Sequence, residues 1–158
     1  MSITIGAPAP DITLEATGNT SFNPTTFKGE QVVIYFYPKD ATPGCTTEGQ
    51  DFRDRMADFE QAGTRVFGVS RDSLRRHENF KEKQGFPFEL VSDPEETLCR
   101  AFDVIKLKKL YGKEHEGIER STFLIDREGN IAAQWRKVKV AGHVDEVLAA
   151  AQALNAEG

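Results

Sequence analysis

The chain of 158 residues holds two cysteines, three histidines and one tryptophan, and each scarcity excludes something. Two cysteines far apart cannot staple a small secreted framework, so Cys45 and Cys99 are present for chemistry or for simple burial. Neither has a partner at C-x-x-C spacing, which rules out a thioredoxin-type dithiol. His77, His115 and His143 stand at no spacing that would complete a zinc site, so no metal is expected. No apolar stretch approaches the roughly 20 residues that a helix needs to cross a bilayer. Basic residues are not in excess: 20 Lys and Arg face 25 Asp and Glu, a net charge of −5. Nucleic acid and acidic membranes are therefore poor general partners. Repeats, low-complexity tracts and Gly/Ser linkers are also missing. The opening MSITIGAPAP has neither the basic start nor the apolar core of a secretory signal. The expectation is a cytoplasmic protein whose thiols are kept reduced.

What is present is an alternation of β-rich and helical segments. The length suits one domain, 1–158, with a full core. After an extended start containing Pro8 and Pro10, a short strand is predicted at Asp11 to Glu15. Gln31 to Tyr37 (QVVIYFY) has no polar alternation and reads as a central strand covered on both faces. A long helix is predicted from Pro43 to about Gln61, with Thr42 as its N-cap, Phe52, Met56 and Phe59 at helical spacing, and Gly63 as its end. Thr64 to Ser70 is a second buried strand. A helix capped by Asp72 or Ser73 runs to Gln84, and Phe88 to Ser92 is a third strand. Asp93-Pro94-Glu95-Glu96 predicts a helix start, continuing to about Phe102. Val104 to Gly117, polar and basic with a Tyr-Gly break, reads as loop. Arg120 to Asp126 and Asn130 to Arg136 form a hairpin around Glu128-Gly129. A helix over 143–154 closes the chain. The fold class is α/β, a mixed central sheet flanked by helices, matching a thioredoxin-like plan with an N-terminal extension.

Cys45 lies in PKDATPGC, just after the central strand and in the first turn of the following helix. Free backbone N–H groups and the positive end of the helix dipole point at that position. Both favour the thiolate, which is the reactive form. Gly44 removes bulk beside the sulfur, and Thr42 offers a hydroxyl able to donate and accept. Arg120, read locally, is an ion-pair partner for Glu116 or Glu119 on the surface.

The pattern Pro38-x-x-x-Thr42-x-x-Cys45 resembles the active-site signature of peroxiredoxins. The longer YFYPKDATPGCTTE is similar to that of the bacterioferritin comigratory, or Q-type, subfamily. GAPAPDITL, SRDS, YGK and RSTFLID extend the likeness over most of the chain. The resemblance implies a thioredoxin-like fold and reduction of hydrogen peroxide and organic hydroperoxides. It assigns Cys45 as the peroxidatic cysteine and Thr42 as the hydroxyl that holds the peroxide. It makes Pro38 the shield of the pocket and Arg120 the cation facing the sulfur. A permanent guanidinium would favour the thiolate and stabilise the departing oxygen. Glu48, one turn after Cys45, also matches the subfamily. It is expected to pair with an arginine such as Arg120 and order the site, or else to be an exposed helix acid.

The resolving cysteine is where the likeness breaks. Many members carry one five residues after the peroxidatic cysteine, where Gln50 stands, or in the region matching Arg75 to Lys83, which has none. Cys99, on a helical face with Leu98 and Phe102, is expected to be a buried packing residue, with a resolving role as the alternative. The expected cycle uses one cysteine. Thioredoxin, glutaredoxin or glutathione would act as reductant on a monomer, and no cofactor is needed. The basic run Lys106 to Lys109 is either a solvated loop or a landing place for the reductase. The rivals are a non-enzymatic peroxide sensor and a cysteine hydrolase, the latter requiring a histidine beside Cys45.

Overall fold

The computed structural model describes residues 3–157. In chain order the elements are β1 (Leu14–Ala16), β2 (Thr20–Phe22), β3 (Gln31–Phe36), α1 (Pro43–Asp54), α2 (Met56–Gln61), β4 (Thr64–Ser70), α3 (Leu74–Gln84), β5 (Glu89–Ser92), α4 (Thr97–Ala101), β6 (Ile105–Leu110), β7 (Lys113–Ile118), β8 (Ser121–Ile125), β9 (Ile131–Trp135) and α5 (His143–Ala156). Seven strands form a mixed sheet in the order β2-β1-β5-β4-β3-β8-β9. β3, β4 and β5 run parallel, while β8 is antiparallel to β3 and β9 to β8. The strands at Gln31, Thr64 and Ser121 and the closing helix lie where the sequence puts them. The architecture is the expected thioredoxin-like α/β layering.

β3 is central because it can be buried on both sides. All six residues are buried, and its side chains alternate between two cores. Val32, Ile34 and Phe36 face one core with Phe22, Phe67, Leu98, Cys99, Phe102 and Phe123. Val33, Tyr35 and Tyr37 face the other with Cys45, Phe52, Phe59, Phe80 and the α5 residues Val144, Val147 and Leu148. Helices α1, α2, α3 and α5 therefore cover one face, and α4 with the N-terminal segment covers the other. Cys45 and Cys99 stand on opposite faces of the sheet.

Four elements differ from the sequence reading. The first strand begins at Leu14 and pairs with an unanticipated partner, β2. The turn between them places Gly18 and Asn19 at positive φ (72 and 56), as a tight hairpin requires. The long helix is interrupted at Arg55, whose N–H turns back to the carbonyl of Phe52 at 3.1 Å, so Phe52 and Phe59 reach the same core from two helices. The helix expected at Pro94 starts only at Thr97. The Asp93 carboxylate accepts from the N–H groups of Thr97 (2.9 Å) and Cys99 (2.8 Å), so it caps later than expected. Glu96 takes a left-handed conformation beside Arg71 and Arg100.

The expected loop after Val104 is a two-stranded antiparallel hairpin, β6–β7, separate from the main sheet. Tyr111 and Gly112, both at positive φ, form its turn, so the Tyr-Gly break is a hairpin signal. Its basic first strand faces an acidic second one, with Lys109 opposite Glu114. The Lys108 stem lies over Gly117, where a Cβ would come within 3.2 Å of its Cδ.

Candidate active site

Tyr37 still joins the sheet through its N–H on Val69 O (3.0 Å). Pro38, which has no N–H, ends that ladder. The chain then turns over Lys39 to Thr42 and enters α1 at Pro43, whose fixed φ suits a first helical position. Thr42 occupies the N-cap with extended backbone, but its hydroxyl makes no capping bond. It donates instead to Lys39 O at 2.8 Å. The amides of the first turn of α1 are thus not consumed by the cap side chain, and remain donors for a ligand at the sulfur.

Cys45 occupies the third position of α1 and is 2% exposed. Arg120, the residue just before β8, reaches it from the strand next to β3, where Ser121 pairs with Phe36. Its Nη2 donates to Cys45 Sγ at 3.3 Å, and its Nη1 donates to Glu48 Oε1 at 2.5 Å. One guanidinium therefore links two side chains that lie one helical turn apart. The backbone at Arg120 is pinned by Val138, whose N–H donates to Arg120 O at 3.0 Å. Gly44 makes room, since a Cβ there would stand 3.1 Å from Arg120 Nη2.

Glu48 is fully buried, and its second oxygen, Oε2, has no hydrogen-bond partner among the described residues. Burial pushes its carboxyl up to about 7, against the opposing pull of Arg120. Tyr35, also buried with an unpartnered hydroxyl, is held as a phenol by burial and by the neighbouring Glu48 charge. Lys108 donates to Ile118 O at 2.6 Å. Burial and then Arg120 press its ammonium pKa down.

Cys45, Arg120 and Glu48 are brought into direct contact. Pro38 and Thr42 are half-buried residues of the turn before the sulfur. Arg120 does not pair with Glu116 or Glu119: Glu116 is taken by Arg100 at 3.3 Å, and Glu48 takes Arg120. No histidine is hydrogen-bonded to Cys45 among the described residues. His143 starts α5, contacts Thr122 Oγ1 at 2.8 Å and is pushed down to about 4 by burial and secondarily by Arg120. The hydrolase arrangement is therefore not formed.

Sequence reasoning missed the anchor behind the turn. Asp40 Oδ1 accepts from the Tyr37 hydroxyl at 2.6 Å, and Asp40 Oδ2 meets His77 Nδ1 at 2.7 Å. The signal was the spacing of His77 and Phe80 on one buried face of α3. Asp40, Asp72 and His77 hold ligand atoms within 4.8 Å of one another. Each of these carboxylate oxygens is already bonded to a protein donor, so the cluster offers no metal site.

The chain matches the AhpC/TSA family over residues 5–134. It is 58% identical over 143 residues to the peroxiredoxin Bcp of Xanthomonas campestris pv. campestris, covering 90% of this chain and 89% of that one. It is 53% identical over 148 residues to the peroxiredoxin Bcp of Bacillus subtilis, covering 94% of each. A solved structure of the bacterioferritin comigratory protein of Xanthomonas campestris comes from work on the alkyl peroxide reduction activity of that protein. It superimposes with a TM-score of 0.90 at 54% identity, over 97% of this chain and 98% of that one.

Proposed function

The chain belongs to the AhpC/TSA family, as a peroxiredoxin of the Bcp type, and from that premise we propose that Cys45 is its peroxidatic nucleophile. The protein is a thiol-dependent peroxidase acting on hydroperoxides. The observation that carries the residue assignment is the double contact of Arg120, on Cys45 Sγ and on Glu48 Oε1.

In this reading the guanidinium stabilises the thiolate, and the thiolate attacks the terminal peroxide oxygen. The S–O bond forms as the O–O bond breaks. The sulfur is oxidised to a sulfenic acid, and the second oxygen leaves as hydroxide or alkoxide, to be protonated to water or an alcohol. Charge builds on that departing oxygen, and Arg120 with the free amides of the first turn of α1 is the available set of donors for it. Glu48 aims the guanidinium. Thr42 orients the peroxide after exchanging its bond to Lys39 O for one to substrate, and Pro38 walls the pocket.

A one-cysteine cycle is supported by the position of Cys99. It is fully buried on the far side of the sheet, and burial, followed by the nearby Asp93, raises its thiol pKa far above the ordinary value. A disulfide needs Cα atoms within about 7 Å, so pairing with Cys45 would require the sheet to open. An external thiol is then the reductant: thioredoxin, glutaredoxin or glutathione, acting on a cytoplasmic monomer. Because Cys45 is 2% exposed, the protein reductants need the first turn of α1 to unwind, whereas a small thiol needs less opening.

Peroxide consumption driven in turn by the thioredoxin system, the glutaredoxin system and glutathione tests this reading. Turnover by the wild type and its loss in Cys45→Ser is the expected result. Activity retained by Cys45→Ser would remove Cys45 from the assignment.

A further inference from the structure

Ala41, directly before Thr42, sits at φ 64. A side-chain-bearing residue keeps this left-handed conformation only where its surroundings over-determine it. Here the surroundings act through Asp40. Its N–H donates to Asp72 Oδ2 at 2.8 Å, its Oδ1 accepts from Tyr37 Oη at 2.6 Å, and its Oδ2 meets His77 Nδ1 at 2.7 Å. His77 is fully buried and held from its other side by Nε2 on Val91 O at 2.9 Å. Asp72 is held in turn by the Ser70 hydroxyl at 2.6 Å and by Arg76 Nε at 3.1 Å.

The geometry points to His77, acting through Asp40, as a positioning residue of the peroxidase reaction: the pair locks the turn that carries Pro38 and Thr42 against α3 and β5. This rests on the peroxidase reading above. The hydrogen-bond inventory sets the protons. A carbonyl only accepts, so Nε2 carries one proton toward Val91 O. The contact between Nδ1 and Oδ2 needs a second, on either atom. Two protons on the pair satisfy every contact; with one, lone pair faces lone pair. Leucine at position 77 leaves the Asp40 carboxylate buried with one oxygen unpaired. Asparagine at position 40 keeps both bonds: its amide donates to a neutral Nδ1, and its oxygen still accepts from Tyr37.

The test compares His77→Leu with Asp40→Asn in stopped-flow oxidation by hydrogen peroxide and in alkylation by iodoacetamide, with circular dichroism to establish folding. Oxidation depends on a held peroxide geometry and alkylation does not. His77→Leu is expected to slow oxidation by about 10- to 100-fold with alkylation changed by less than about threefold, while Asp40→Asn stays within about threefold of wild type in both. A folded His77→Leu that oxidises at the wild-type rate overturns the proposal. So does Asp40→Asn losing as much as His77→Leu, or alkylation falling in parallel with oxidation. Should His77→Leu not fold, Tyr37→Phe, which keeps the ring and removes one bond to Asp40, decides: slower oxidation supports the anchor and an unchanged rate refutes it. A wild type inert to peroxide would sink the peroxidase reading instead. The anchor is then judged by amide exchange over Ala41 to Cys45, expected to accelerate in His77→Leu and, if unchanged, contradicting it.

Discussion

Replacing Glu48 by glutamine should make the protein more stable as the pH rises, relative to wild type. Glu48 is fully buried and satisfied at only one oxygen. Burial raises its carboxyl from 4.5 to about 7 in spite of Arg120. An acid whose folded pKa is raised binds more protons in the native state than in the unfolded state over that window. Its contribution to stability is fully present below about 4.5 and is lost as the pH climbs through about 7. Each pH unit is worth about 1.4 kcal/mol, so most of the effect, about 2.5 kcal/mol, falls between pH 5 and pH 8. Glutamine keeps an oxygen for Arg120 Nη1 and carries no charge, so its stability lacks this slope. Titrating groups that do not interact with Glu48, His143 included, are common to both proteins and cancel in the difference. Urea unfolding followed by the single tryptophan, Trp135, at pH 5, 6, 7 and 8 gives the comparison. The stability of Glu48→Gln minus that of wild type should rise by about 2.5 kcal/mol from pH 5 to pH 8. Parallel profiles, or a difference that falls with pH, would show that Glu48 is not the buried, half-satisfied carboxyl described here.

Three further outcomes are expected. Arg120→Ala removes the donor to Cys45 and strands Glu48. Oxidation by peroxide should slow by about 10²- to 10³-fold, and stability at pH 8 should fall by about 3–5 kcal/mol, much of it restored by adding Glu48→Gln. Cys99→Ala should leave peroxide oxidation of Cys45 unchanged in stopped flow and lower stability by only about 1 kcal/mol, as the loss of a small buried side chain. Gly49→Ala puts a methyl group 2.3 Å from the Phe86 ring, and thermal or urea unfolding should register a loss of about 1–3 kcal/mol from overpacking.

The features most legible in the sequence were those with strong local chemistry. QVVIYFY reads as a strand buried on both faces and Pro43 after Thr42 as the start of a helix, which puts Cys45 in that helix's first turn. Arg120 was found through family resemblance; locally it looked like a surface ion-pair partner, because its contacts to Cys45 and Glu48 span more than seventy residues of chain. The bond between Asp40 and His77, 37 residues apart, was hidden for the same kind of reason. Charge makes Val104 to Gly117 read as a loop, although the cross-strand Lys and Glu pairs and the Tyr-Gly turn of the hairpin formed there are what a solvated hairpin uses. At Asp93 the capping residue was recognised but not its reach: its carboxylate caps the amides of Thr97 and Cys99, so the helix begins later.

The central claim is that the sulfur at position 45 reacts with peroxide and has no internal partner. Mass spectrometry of the protein after one equivalent of hydrogen peroxide, with and without a sulfenic-acid trap, tests it most directly. One added oxygen located on Cys45, trapped there and reversed by an external thiol, is the predicted result. A disulfide between Cys45 and Cys99, or a Cys45 that stays unmodified, would contradict it.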